Sequence, residues 1–202
     1  GTESATATTL QRLQVIYSGN GATGGSAPTD SKQYLSNETA TVLNNTGQSP
    51  LTILGNNFEG WTLDSNGNGR VYKSGDILQL ASASVTLYAK WSLISYYVTY
   101  RSDGTTTSGV VPVDVDSQGN RSKYTIGQNA PVYGNTGNLA RPGYSFAGWG
   151  LSATDTTTAY QSGQSYTVGA SNIDFWARWS PNTYTVTFDA NGATGSPSKA
   201  ND

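Results

Sequence analysis

The 202 residues predict a mainly β fold, α+β at most, assembled from tandem copies of one small module. Three observations carry this reading. Glycine occurs 24 times and aromatic side chains make up 11% of the chain, a balance suited to short strands joined by tight turns. Phe58, Gly60, Trp61, Tyr72, Gly75, Ala89 and Trp91 recur without a gap as Phe146, Gly148, Trp149, Tyr160, Gly163, Ala177 and Trp179, each 88 positions later. A fixed displacement of this kind marks a repeat architecture. The segments flanking this set alternate apolar and polar residues with the period of two that a half-buried strand requires.

Taken in order, each copy opens on a strand: Leu13, Val15 and Tyr17, then Tyr96, Val98 and Tyr100, then Tyr184, Val186 and Phe188. The displacement from Val15 to Val98 is 83, so the second copy carries about five extra residues in its middle. A short stretch around Ser31 to Leu35 is the best helix candidate in either copy. The central FEGW and FAGW segments place Gly60 and Gly148 inside a strand pattern, which calls for a bulge or for the close approach of another backbone or ring. The polar clusters DSNGNG at 64–69 and TDTTT at 154–158 read as hairpin turns, the first rich in residues that tolerate positive φ. The closing strand directs Val85, Leu87, Ala89 and Trp91 inward, and Ile173, Phe175, Ala177 and Trp179 do the same in the second copy. Its outer face carries Tyr88 and Lys90 in one copy and Asp174, Trp176 and Arg178 in the other.

These elements divide the chain into a leading tag or linker at 1–10, repeat modules at 11–92 and 93–180, and the truncated start of a third module at 181–202. With no initiator Met, Gly1 and Thr2 read as a cloning remnant of a longer parent. Trp91 to Val98 and Trp179 to Val186 both span seven residues. Joins this short and equal suit modules held at a repeated angle rather than beads on a flexible string. The third opening strand lacks the rest of its own sheet, which makes it a sticky edge. It is expected to add, by strand exchange through residues 183–190, to a sheet of another copy or another molecule.

Composition excludes several function classes. Eleven basic and 13 acidic residues leave a net charge of −2, with no electrostatic footprint for nucleic acid or an anionic membrane. Cys and His are both absent, which removes disulfides, thiol nucleophiles and the commonest general base and zinc ligand. No apolar run approaches the roughly 20 residues of a membrane-spanning helix, so membrane insertion is not expected. A Cys-free, Thr-rich chain suits the outside of a bacterial cell.

Few residues qualify as candidate sites, and no cofactor is expected. Asp64, Asn66 and Asn68, followed by Gly69, match the first positions of a calcium loop. Oxygen ligands at alternate positions can converge on a hard cation. The twelfth position is Gly75 rather than Glu, and the second copy has Ser152, Thr154 and Thr156 at the matching places, so a plain turn is the better reading. Tyr88 beside Lys90 and Trp176 beside Arg178 could stack on a sugar or a partner protein, or pack beneath a loop. Trp61, Trp91, Trp149 and Trp179 fall on the inward phase and read as core. Asp114 and Asp116 could share a strand face as a glycosidase pair does, but only the second copy has them, and a solvated loop is expected.

The combined motifs resemble the Listeria-Bacteroides repeat, the B-repeat type of internalin-like surface proteins. The first copy reads VIYSGNGATGG, FEGW, YKSG and LYAKW; the second reads VTYRSDGTTT, GYSFAGW, YQSG and FWARW; the third opens with YTVTFDANGATG. The first copy departs in having Gly55, Asn56 and Asn57 where the family favours Gly-Tyr before the central Phe. The resemblance implies a β-grasp-like, ubiquitin-like module strung along secreted or wall-attached bacterial proteins, and it implies no catalysis. Two functions are expected to compete. One is a structural stalk at the cell surface, its partners being neighbouring repeats and surface or host proteins that aid adhesion. The other is a carbohydrate- or host-receptor-binding module using the exposed aromatics.

Overall fold

The structure, a computed structural model, describes residues 11–189, 191, 192 and 194. Contacts divide the described chain into two compact units. The first takes the chain up to Tyr96 with Lys123–Gln128 and Thr167–Ser171; the second takes Tyr97–Ser122, Asn129–Tyr166 and the described residues from Asn172 onward.

Five strands build the first module: β1 (Val15–Ser18), β2 (Thr39–Thr41), β3 (Asn56–Thr62), β4 (Ile77–Gln79) and β5 (Val85–Leu93). Five more build the second: β6 (Val98–Arg101), β7 (Asn129–Pro131), β8 (Tyr144–Gly150), β9 (Ser165–Thr167) and β10 (Ile173–Pro181). The main sheets have the orders β1-β5-β3 and β6-β10-β8, and β2-β4 and β7-β9 form two-stranded companions. In each module the closing strand is central. It pairs parallel with the opening strand, Val15 opposite Val85 and Val98 opposite Ile173, and antiparallel with the FxGW strand. A parallel pair needs a long crossover, and the middle of each repeat supplies it.

The described residues contain strands and no helix, so the fold is mainly β. The expected helix near Ser31–Leu35 is not formed. Tyr34 instead exchanges both main-chain hydrogen bonds with Leu13, at 2.8 and 2.9 Å, which buries its ring and ties the segment to β1 as an extended bridge. The connection from β1 to β3 runs through β2 and loops, where a β-grasp fold would lay a helix across the sheet.

Of the residues expected to face inward on the closing strands, Leu87, Ala89, Phe175 and Ala177 are buried, while Val85, Trp91, Ile173 and Trp179 are half-buried. In the first module Leu13, Val15, Tyr17, Leu78, Leu80 and Leu87 surround Trp61, which is wholly buried. In the second, Val98, Tyr100, Val132, Leu139, Phe175 and Ala177 are buried, as is Trp149. Tyr17 meets Trp61 edge-on at 4.7 Å between ring centroids, and Phe58 sits 5.1 Å from Trp61. The second module repeats this with Tyr100 at 4.8 Å and Phe146 at 5.0 Å from Trp149. Each such edge-on pair adds about 0.5–1.5 kcal/mol beyond area burial.

The central glycines serve the anticipated purpose. The pairing of β3 with β5 shifts register between Phe58 and Gly60. Gly60 adopts φ of 130°, and a Cβ there would lie 2.7 Å from the Tyr72 carbonyl oxygen. Gly148 repeats this with φ of 134° and Tyr160 oxygen at 2.5 Å. Both the left-handed φ and the close backbone require glycine.

The third opening strand lies outside both main sheets. The β10 ladder reaches Pro181, opposite Tyr144, and the Asn182 N–H donates to Gly143 at 2.8 Å. From Thr183 to Asp189 the chain joins no sheet among the described residues, and Tyr184, Val186 and Phe188 are exposed. β5 and β10 each already have a neighbour on both sides. Residue 190 lies outside the described residues.

Buried phenols give the fold an alkaline limit. Burial, and then Asp30, which accepts the Tyr34 hydroxyl at 2.8 Å, push the Tyr34 phenol up to about 12. Burial also raises Tyr17, Tyr133 and Tyr166. An acid with a folded pKa above its unfolded value of about 10 contributes fully below that value and loses its contribution as pH rises through the folded one. The urea midpoint is therefore expected to hold to about pH 9 and to fall from about pH 10 to 12. Tyr34→Phe should flatten that fall, and an unchanged slope would dismiss Tyr34 as its source.

Candidate functional site

The outer face of the closing strand holds the four residues expected to contact a ligand. Pairing places Tyr88 between Ser18 and Thr62, and Trp176 between Arg101 and Gly150. Tyr88, Lys90 and Trp176 are half-buried. Arg178 corrects the sequence reading: it is only 6% exposed.

The second module folds over Arg178. Its guanidinium donates from Nη1 to the Ala177 carbonyl at 2.8 Å, and from Nη2 to the Ser152 carbonyl. Space for it comes from Gly150, where a Cβ would lie 2.5 Å from Nε and Nη2. At the matching positions the first module has Thr62 and Lys90. The pairs Thr62 with Lys90 and Gly150 with Arg178 are thus matched in volume, a larger cation accompanying a vacated side chain. Lys90 also runs under a turn, its Cγ 3.8 Å from where a Cβ on Gly67 would be. Packing beneath a loop therefore accounts for both cations.

Of the two half-buried aromatics on this face, Tyr88 and Trp176, the second has a cation over its ring. Arg101 lies over it at 5.6 Å and pairs with Asp174 at 2.9 Å. Asp174, Arg101 and Trp176 form a small polar-aromatic cluster, which the first module does not repeat: Ser18, Thr86 and Tyr88 stand there.

The calcium-loop candidate spends its carboxylate on its own turn. Asp64 accepts from the Asn66 main-chain N–H at 2.9 Å and from its side-chain amide at 3.2 Å. These bonds, the main-chain one foremost, hold its carboxyl below the usual range. Asp155 serves the second module likewise, accepting from Leu151 and Ser152 N–H at 3.0 Å each and from the Ser152 hydroxyl at 2.8 Å. The hydroxyl bond leads in lowering its pKa. Among the described residues no three His, Cys, Asp or Glu side chains gather as a metal group.

Asp114 and Asp116 are not a pair, and Asp114 is not solvated. Asp114 is buried and accepts the Tyr133 hydroxyl at 3.3 Å, while exposed Asp116 shapes a tight turn by accepting from Gln118 and Asn120 N–H at 3.0 and 2.8 Å. That turn caps a hairpin, Val115 bridging Arg121. Nine residues separate Asp114 from Tyr124 where three separate Asp30 from Tyr34, so the hairpin is the main insertion of the second copy.

Sequence reasoning missed the side chains that staple each module. Trp61 Nε1 donates to the Leu43 carbonyl at 3.0 Å, and the Leu43 N–H donates to the Tyr17 hydroxyl at 2.8 Å. Trp149, Tyr133 and Tyr100 repeat both bonds at 2.7 and 2.8 Å. Asn45 clasps Leu51 through its side-chain oxygen and nitrogen, at 2.8 and 3.0 Å. Asn135 clasps Leu139 in the same way at 2.6 and 2.8 Å. The available signal was the tripeptide Asn-Thr-Gly, present at 45–47 and 135–137.

Both modules thus present one scaffold with the same buried tryptophan, the same staples and different outer residues. These features define a protein of tandem all-β repeats. The profile of the Listeria-Bacteroides repeat domain matches residues 14–90 and 96–178, and the chain belongs to that family. It is similar to two proteins of Evansella cellulosilytica. One, named "Putative Gly-rich membrane protein", is 26% identical over 190 residues, covering 92% of this chain and 19% of that protein. The other, named "Putative membrane protein", is 29% identical over 130 residues, covering 63% of this chain and 18% of that protein. The chain thus spans about a fifth of the length of these relatives. No solved structure matches.

Proposed function

We propose that the chain is a non-catalytic spacer: repeat modules of a secreted or surface-attached bacterial protein that carry other parts of it outward and aid adhesion. The observation behind this reading is the pattern of what the modules share. Trp61 and Trp149, Tyr17 and Tyr100, Asn45 and Asn135, and Gly60 and Gly148 all serve to build the module. The candidate contact residues differ between copies, and Arg178 is buried. A stalk needs a repeated core and tolerates a varied surface. The names of the membrane-protein relatives are consistent with a place at the cell envelope.

The half-exposed Trp176, with Arg101 over one face, favours carbohydrate or receptor binding as a second reading. A glycan array and a cell-adhesion assay on the wild type and Trp176→Ala separate the two. The spacer predicts no glycan retained above the blank and unchanged adhesion in the variant. Glycan or cell binding abolished by Trp176→Ala would replace the spacer with a binding module.

A further inference from the structure

Four Asn-Gly dipeptides occur, at 20–21, 66–67, 68–69 and 191–192, and the first three belong to the first module. The second module keeps none of these three. Asp103 and Gly104 stand for the first, and Thr154–Asp155 and Thr156–Thr157 stand for the other two. An asparagine followed by glycine is open to a reaction with its own main chain. The glycine nitrogen, which no Cβ shields, attacks the side-chain carbonyl carbon of the asparagine and gives its proton to water. The bond to the amide nitrogen breaks and ammonia leaves. Water then opens the resulting succinimide at one of its two carbonyls, giving aspartate or isoaspartate without any oxidant or reductant.

The reaction needs an asparagine side chain free to turn back on the chain and a glycine nitrogen free to attack. The three sites differ in both respects. The Asn20 amide is held, donating to the carbonyls of Ser65 and Ala89 at 2.9 Å each. Ala89 lies on β5, so this side chain clasps the turn after β1 to the central strand. A carboxylate at position 20 would leave both carbonyls without their donor. Where the second module carries a carboxylate instead, at Asp103, the turn supplies donors to it, the Thr105 and Thr106 N–H groups at 3.0 and 3.2 Å.

Asn66 and Asn68 are exposed in the turn at 64–69. The Asn66 amide donates to the Asp64 carboxylate at 3.2 Å, and the Gly67 N–H is engaged by the Asp64 carbonyl at 2.9 Å. The Asn68 amide also turns to Asp64, but the Gly69 N–H makes no hydrogen bond among the described residues. Gly69 has open space around it. Its nitrogen is therefore the one free to react.

We propose that Asn68, followed more slowly by Asn66, is a site of spontaneous deamidation in the folded protein, and that the clasp of Asn20 protects that residue from the same reaction. Each event adds a negative charge to a turn that already holds Asp64, and isoaspartate also lengthens the main chain by one carbon. The turn lies between β3 and the bridge of Trp61 with Tyr72, outside the strands. The core is untouched, so the modified residues accumulate on folded protein.

Peptide mapping by mass spectrometry of the 202-residue chain, aged at mildly alkaline pH, tests this. Asn68 should exchange its amide nitrogen for oxygen first and Asn66 second. Asn20 should react at least about tenfold more slowly than Asn68, the factor that two modest hydrogen bonds supply. A synthetic peptide of residues 62–72 gives the rate without a fold, and Asn68 in the folded chain should approach it. In denaturing urea Asn20 should speed up to the rate of Asn68. Gly69→Ala places a Cβ beside the attacking nitrogen and should suppress the reaction at Asn68 while Asn66 continues, and unchanged thermal unfolding would show that the variant is folded. Asn20 reacting as fast as Asn68 in the folded chain would overturn the proposal, as would Asn20 staying slow in urea. So would Asn66 reacting ahead of Asn68, or Asn68 remaining intact while the peptide is converted.

Discussion

Trp149→Ala should destabilise the second module by about 3–5 kcal/mol, the range for deleting a large buried aromatic side chain. Trp149 is wholly buried, so its removal leaves a cavity beside Tyr100 and Phe146, which meet it edge-on. It also leaves the Tyr133 carbonyl without the indole N–H that it accepts at 2.7 Å. Trp149→Phe separates the two contributions, because it keeps most of the apolar volume and loses the donor. Its expected cost is smaller, about 1–3 kcal/mol, the penalty of one buried unsatisfied group. Urea unfolding followed by the fluorescence of the remaining tryptophans measures both. Equal losses in the two variants would mean that the hydrogen bond, not the packing, dominates.

Gly137→Ala is the second large effect, and its origin is backbone packing. A Cβ at Gly137 would lie 1.9 Å from the carbonyl oxygen of Val110, a separation that no side-chain rotation relieves. The first module makes the same contact, since a Cβ at Gly47 would lie 2.0 Å from the Ser26 oxygen. Two loops therefore touch main chain to main chain in each copy, clasped nearby by Asn45 or Asn135. The loss should reach about 3 kcal/mol, the upper end of the range for overpacking. Gly143→Ala is the control. Gly143 has φ of 78° but open space around it, so its loss should stay near the 1–2 kcal/mol of a left-handed non-glycine residue. A Gly137→Ala midpoint no lower than that of Gly143→Ala would contradict the close packing.

Much of the fold is legible in the sequence because two copies of it are present. A residue kept at an 88-position displacement while its neighbours change is one that the fold uses, and the inward phase of Val15, Tyr17, Leu87 and Ala89 follows from alternation alone. Gly60 and Gly148 announce their bulges because a glycine within a strand needs a backbone reason. The hydrogen-bond staples were harder to see. Tyr17 and Tyr100 read as apolar core, and only the folded chain brings their hydroxyls to the main chain at Leu43 and Tyr133. These partners lie 26 and 33 residues away, beyond the reach of any local pattern.

The candidate site was less legible than the fold. Alternation placed Arg178 on the outer face of its strand, and the strand does direct it there. A loop then closes over it, Ser152 accepting from its guanidinium, so the outer face is not the solvent. Asp114 shows the converse: among exposed Val113 and Val115 the carboxylate turns inward to Tyr133. Polarity alone would have put the valines inside.

By itself the sequence determined the repeat, its strand content, the inward residues of both modules and the family to which the chain belongs. Those properties depend on local period and on recurrence, and both are written along the chain. The tertiary structure alone decided that Arg178 and Asp114 are buried and that β1 lies at the edge of its sheet. Each of these depends on which distant segment lies over a strand or beside it. That is set by competition for neighbours among non-local elements, which residue periodicity does not encode.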